Sequence, residues 1–517
     1  MRGPLRAIEG TILAGERLVA GGRVVFRLHG AIEEPGQAAE GVWRLAPEEI
    51  LLPALHDHHT HLIGTYRPAR GPDLSGIATR EAALAAVAGW LAAHPDADPV
   101  VGEGWDESAW SDDRRKLTRG DLDRIEPRRR VALRRVCGHL AVLNGAAWRD
   151  LAPAGAEADP ATGTIVETLA LGLPARWPDA PEGAIEGARA GQCAAFANGV
   201  RGIDEMGRAE TFEAYERLAR AGELSIEVRH QLPLDRIEEI ERQGIRPGDG
   251  TPPLSLRGLK AFLDGSLGAR TAALSVPYAD REDRGLLLWE SGALRDAAQR
   301  GASLGFAIVL HAIGARAIAQ AIDVLSEIPP APSGFPHRIE HAEDLAPGEI
   351  ARASRAGIAF SMQPNFTARW QQAGGMYEAA LGRERARRLN PYRSVRAGGA
   401  RLCLGSDTMP FGPWAGLPGA CAHPDPAERL PAATALHAYA RDGVGPEPAA
   451  SRLAAGAPAD LLVVSAPGGD LDRAVARGEA RVVWCAIGGR TVHVDVSRAS
   501  SLPSRFLLPG EEGSAVR

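Results

Sequence analysis

Four of the chain's 14 histidines, His56, His58, His59 and His61, fall within six residues, directly after an apolar run in LLPALHDHHTHL (51–62). Alternate side chains of an extended chain share a face, so Asp57, His59 and His61 are expected to point one way at the end of a short strand. His56 and His58 then point to the other side, in a supporting position or at the surface. Two imidazoles on one face make half of a site for a zinc-type ion, which takes neutral ring nitrogens as ligands. Asp57, two residues before His59, is placed to support that ring through its other nitrogen.

A second chemical signal is the lysine usage. Of 59 basic residues only Lys116 and Lys260 are lysines. Arginine stays charged under ordinary conditions, whereas a buried lysine can lose its proton and act as a nucleophile. Lys260 sits in LRGLKAFLDG shortly before Asp264, and three further apolar runs end in a candidate ligand: His311 in AIVLHAIG, His341 in HRIEHAED and Asp407 in RLCLGSD. An ammonium would repel a cation. The lysine fits if its free amine has captured carbon dioxide as a carbamate, an anion whose two oxygens can bridge two metals.

Ligands so far apart in sequence need an architecture that gathers strand ends. Short apolar runs alternate with Ala-rich, Arg/Glu-studded stretches such as REAALAAVAGWLAAH and AIAQAIDVLSEI, a pattern of strand and crossover helix that builds a parallel α/β fold. The expected fold is a (β/α)₈ TIM-type barrel, whose active-site residues project from the C-terminal ends of several strands. Ten candidate strands are found where eight are needed, so an insertion is expected, approximately within 66–190. Residues 1–53 and 456–517 read as short strands with glycine turns, and are expected to close one small β-sandwich domain from both chain ends, leaving 54–455 for the barrel.

Composition excludes other classes. A net charge of −6 with no basic stripe argues against nucleic acid as a partner. No apolar run approaches the ~20 residues of a membrane helix, and the N-terminus lacks the apolar core of a secretion signal, so the expected location is the cytoplasm. The five cysteines are scattered without C-x-x-C spacing and read as reduced structural residues. The expected partner is a small-molecule substrate, and association into a homo-oligomer is left open.

The motifs PALHDHHTH, GEGWDES, RRVCGHLAVLN, DPATGTIVE, LKAFLDGSLGARTAAL, LHAIG, RIEHAED, LGSDTMP and GAPADLLVV, in this order, resemble the metal-dependent amidohydrolase superfamily, and within it the amidohydrolase-3 (YtcJ-like) group. The resemblance covers nearly the whole chain. It implies that His59, His61, His311 and His341 ligate one or two divalent ions, expected to be zinc, that Lys260 is the carbamylated bridging ligand, and that Asp407 is a metal-side general base. Ala54 stands where the family usually has glycine, and Ala315 where an aspartate often follows the histidine of LHAIG.

A bound divalent ion lowers the pKa of water from 15.7 toward about 7 and polarises a carbonyl. Asp407 would take the proton of that water and pass it to the leaving amine, hydrolysing a non-peptide C–N bond in an N-acyl or N-formyl amine. His139, Arg270 and Trp105 are candidate substrate contacts; Trp110 shares the motif of Trp105, and Asp204 and Glu205 in GIDEMG read as solvated or helix-capping. Two alternatives compete. A heterocyclic base deaminase of the same fold would carry a glutamate three residues after His311, where Gly314 stands. A non-catalytic homologue would have lost ligands, and none is lost.

Overall fold

The computed structural model describes residues 4–503 and 506, except 29, 156, 179, 441–452, 496 and 498–502. Eight parallel strands form one sheet: β1 (Leu55–Thr60), β2 (Val200–Met206), β3 (Glu227–Pro233), β4 (Leu254–Phe262), β5 (Ala307–Ala312), β6 (Arg338–His341), β7 (Ala359–Met362) and β8 (Arg401–Leu404). Every neighbouring pair from β1 to β8 is a parallel ladder.

Alternation along these strands separates two environments. Ile203, Val228, Leu259, Ile308, Leu310, Ile339, Phe360 and Leu402 share one core with helix residues such as Ile318, Ala321 and Ile322. Those three lie on one face of the helix Ala315–Ser326, at helical spacing. The residues between them, Asp204, Arg229, Lys260, His311, Arg338 and Glu340, therefore face the barrel interior. Branched apolar side chains usually fill that space; here it is ionic and buried.

The barrel closes at the site itself. β8 and β1 form no ladder, and the seam is held by the Asp407 amide donating to the His59 carbonyl (2.7 Å) and the Ser406 amide donating to Asp57 Oδ1 (2.8 Å). Gly405 is required there, because a Cβ would stand 2.5 Å from the His59 nitrogen.

The two surplus strands belong to a separate layer. Val100–Trp105 and Val131–Arg135 pair with each other, and with Leu140–Leu143, Thr164–Val166 and Ala158–Asp159 make a five-stranded sheet between β1 and β2 in sequence. The chain ends meet in a third sheet, where Glu49–Pro53 lies between Leu5–Ala14 and Leu461–Ser465. Phe26, Trp43, Trp484 and Phe506 pack edge to face and tilted in its core. No helix among the described residues is long and apolar enough to cross a membrane.

Candidate metal centre and catalytic cleft

Residues 55–61 depart from simple alternation. Two residues, His58 and His59, oppose Asp204 on β2, because the register runs Asp57↔Ile203 and then Thr60↔Glu205. Such a bulge re-aims the side chains that follow it. His59 and His61 reach the mouth of the barrel, and Asp57 does not support the His59 ring. Its Oδ1 accepts the amides of His59 (3.2 Å) and Ser406, so it fastens the seam. Glu340 fills the supporting role instead, 2.5 Å from His59 Nδ1, which leaves Nε2 free as a lone-pair donor.

His56 and His58 are not at the surface. Both are fully buried, with His56 Nε2 3.0 Å and His58 Nδ1 3.6 Å from Asp204. Arg338 bridges Asp204 and Glu340 and donates to the His58 carbonyl (3.0 Å), an ionic cross-brace through the barrel interior. Asp204 and Glu205 are likewise buried, not solvated. Glu205 accepts from Thr60 Oγ1 (2.7 Å) and from the Leu62 amide (2.8 Å), at the start of the helix Leu62–Tyr66.

The six residues expected at the metal come together. Donor atoms of His59, His61 and Asp407 lie within 4.8 Å of one another, with Asp407 Oδ1 3.5 Å from His59 Nε2 and 3.2 Å from His61 Nε2. The His341 ring is 5.0 Å from that of His59 and 4.4 Å from that of His311. His311 Nε2 lies 3.2 Å from the Gly265 carbonyl; a proton held there leaves Nδ1 as the lone-pair nitrogen. Lys260 Nζ stands 4.1 Å over the Phe262 ring with no hydrogen-bond partner among the described residues, and its charge acts on His59, His311, His341 and Asp407.

Two of the candidate ligands depend on unusual backbone. His341 (φ 69°) and Asp407 (φ 51°) are non-glycine residues in the left-handed region, each followed by another, Ala342 and Thr408. Such residues cost roughly 1–3 kcal/mol each and persist where surrounding bonds hold them. The Ala342 amide donates to Ala312 (3.0 Å) and the Asp407 amide to His59. At β6 this turn lets two successive residues, Glu340 and His341, both reach His59.

The electrostatics suit a divalent cation. Burial holds the imidazoles of His59, His311 and His341 below their ordinary pKa, so they are neutral donors at pH 7. Burial opposes ionisation of Asp407, but His59 and His61 outweigh it and bring its carboxyl down to about 2. Burial lowers the Lys260 amine to about 8 against the pull of Glu340 and Asp407. Neutral nitrogens, one carboxylate, an unpartnered buried amine and an unpartnered His341 Nδ1 form a donor set that fits a zinc-type ion.

The candidate ligands His311, His341 and Asp407 open onto a narrow cleft walled by Leu267, Ile313, Phe366, Trp370, Met376 and Tyr377, with Arg135, Cys137, His139 and Glu343 as the charged or ionisable groups beside them. His139 lines the cleft, 5.1 Å ring to ring from His311. Its Nδ1 is 2.7 Å from Glu167. Burial alone would lower its pKa, yet the Glu167 carboxylate overrides this and raises it to about 9.

Trp105 and Arg270 do not line the cleft. The Trp105 ring is fully buried in the core of the inserted sheet, stacked on Trp110, with its nitrogen donating to the Leu133 carbonyl (3.1 Å). Arg270 braces its own loop through Asp280 (2.8 Å) and the Leu267 carbonyl (2.7 Å). Asp264 likewise ties loops together, accepting the amides of Ala273, Ile313 and Gly314.

The family profile described as "Amidohydrolase family" matches residues 47–493. The chain belongs to the amidohydrolase family. Among amidohydrolase relatives it is 28% identical over 390 residues, 70% of this chain and 71% of the other, to YtcJ of Bacillus subtilis (strain 168), a protein provisionally named an amidohydrolase. It is 25% identical over 390 residues to the Arabidopsis thaliana protein LONG AFTER FAR-RED 3, covering 69% of this chain and 66% of that one. An uncharacterised metal-dependent hydrolase from Pyrococcus horikoshii OT3 superposes with a TM-score of 0.70 at 25% identity, over 89% of this chain and 97% of that one. A zinc-bound adenosine deaminase from Xanthomonas campestris shares the fold (TM-score 0.52, 14% identity, 94% of this chain and 92% of that one). Family and donor set together make this amidohydrolase a metal-dependent hydrolase.

Proposed function

We propose that the protein hydrolyses a non-peptide C–N bond, in an N-acyl or N-formyl amine, at a centre of one or two zinc ions held by His59, His61, Lys260, His311, His341 and Asp407. The observation that carries this reading is the meeting of His59, His61 and Asp407 within 4.8 Å beside the buried, unpartnered Lys260. The metal, when bound, supplies an acidified water and a Lewis acid for the scissile carbonyl.

The chain's own groups do the rest. Asp407, ionised at neutral pH, accepts a proton at its carboxylate and returns it to the leaving nitrogen. Glu340 fixes the His59 ring. His139, whose imidazole Glu167 holds above its ordinary pKa, offers a donor for the carbonyl oxygen as charge develops there. Lys260, with its pKa brought down to about 8, has an amine that would take up carbon dioxide as a carbamate and would then supply an anionic ligand. We place the enzyme in the cytoplasm, with a small molecule as its substrate.

Deaminase chemistry is the weaker reading on steric grounds. Its glutamate would stand at position 314, where even a Cβ would lie 2.3 Å from the Ala273 carbonyl oxygen. The test is a screen of zinc- or manganese-loaded protein against N-formyl, N-acyl and cyclic amides, beside cytosine- and adenine-type bases. Turnover of an amide that Asp407→Asn abolishes is expected. Deamination of a base, or amide turnover that survives Asp407→Asn, overturns the reading.

A further inference from the structure

The inserted sheet sends one arginine to the cleft. Arg135, at the end of the strand Val131–Arg135, is 1% exposed and lines the cavity. Two edges of its guanidinium are fixed: Nε donates to Glu107 (2.8 Å) and Nη2 to Asp106 (3.1 Å). Asp106 is itself clamped by Arg369 and by the Trp370 ring nitrogen, each at 3.2 Å, so the guanidinium is held from both sides of the cleft wall. Nη1 is buried and has no hydrogen-bond partner among the described residues. It lies against Gly268, another cleft residue, where a Cβ would come within 2.5 Å of it.

A buried donor is rarely left unmatched without a reason. With Nε and Nη2 taken, Nη1 is left to give one charge-assisted hydrogen bond, for which a carboxylate oxygen is a strong acceptor. We propose that Arg135 is a specificity-determining residue whose Nη1 edge receives a carboxylate of the substrate, so that the substrate class is an acylated amine bearing an acid group on an apolar body. This rests on the cleft being the substrate site as described above. The flanking Leu267, Phe366, Trp370 and Met376 suit the apolar body. The catalytic metal stays with the histidines; Arg135 selects and positions.

The test compares two probes that need no turnover, 3-phenylpropionate and 3-phenylpropanamide, titrated calorimetrically into the zinc-loaded full-length protein, with the shorter and longer homologues of each. The readout is the ratio of their affinities. The expected result is a preference for the acid of about tenfold to a hundredfold at one chain length, the range of a hydrogen bond to a charged group. Arg135→Gln is expected to bring the ratio to about one while the amide's affinity stays. Should Arg135→Gln not fold, Gly268→Ala decides, since its methyl group crowds Nη1 without removing the charge, and the ratio must fall there too. An acid preference that survives these substitutions places the carboxylate on the metal and overturns the proposal, as does equal binding of acid and amide by the unaltered protein. Failure of the amide-hydrolysis screen would leave this ratio intact, so the two ideas fail separately.

Discussion

Replacing Glu167 by glutamine isolates the charge that governs His139. The pair is buried and 2.7 Å apart, and Glu167 raises the imidazole from 6.5 to about 9 although burial acts the other way. That rise corresponds to roughly 3 kcal/mol favouring the charged ring. A folded-state pKa raised above the unfolded value contributes stability that is fully present below pH 6.5 and is lost as pH rises through about 9. In Glu167→Gln burial is opposed by the weaker pull of Cys137 and Asp407, so the ring is expected to titrate well below its value in the unaltered protein and to lose charge at pH 7. Imidazole ¹⁵N chemical shifts across pH 5–10 read the titration directly, and chemical denaturation at pH 6 and pH 9.5 reads the linkage. Loss of a charged donor at the carbonyl should lower kcat by ~10²-fold at pH 7. Titration of His139 near 6.5 in the unaltered protein, or an unchanged titration in Glu167→Gln, would refute the reasoning.

Other outcomes follow from the same geometry. Glu340→Gln keeps the shape but weakens the hold on the His59 ring, and zinc affinity measured against a competing chelator should fall about 10–100-fold. Lys260→Met should lower the zinc content of the purified protein by at least one ion per chain if two are bound in the parent, read by elemental analysis. Gly314→Ala forces a methyl against the Ala273 backbone and should cost about 1–3 kcal/mol in denaturant unfolding, with His311 displaced.

The barrel and the meeting of the candidate residues were legible in the sequence because those residues lie at or near strand ends. His311, His341 and Asp407 each close an apolar run and Lys260 lies near the end of one, and a parallel barrel brings such ends together whatever the loops between them. What alternation misplaced traces to one bulge: with His58 and His59 both opposite Asp204, Asp57 turns from ligand support to seam, and His56 and His58 enter an ionic interior. Glu340, Glu167 and Arg135 were overlooked, although RIEHAED, DPATGTIVE and RRVCGHLAVLN contain them. Charged residues inside otherwise apolar strand runs, as in RIEH and VALRR, were the available signal. Their partners lie 281, 28 and 28 or 29 residues away, so no local spacing connects them. Trp105 was misread for the opposite reason: an aromatic beside charged neighbours suggests a pocket wall, yet it fills the core of the insertion.

Anomalous diffraction at the zinc edge from crystals of the loaded protein tests the central claim most directly. The account predicts density bounded by His59 Nε2, His61 Nε2 and Asp407, with Lys260, His311 and His341 around it. Zinc found instead between His56, His58 and Asp204, the other cluster of donors within reach of one ion among the described residues, or no zinc in the barrel at all, would contradict it.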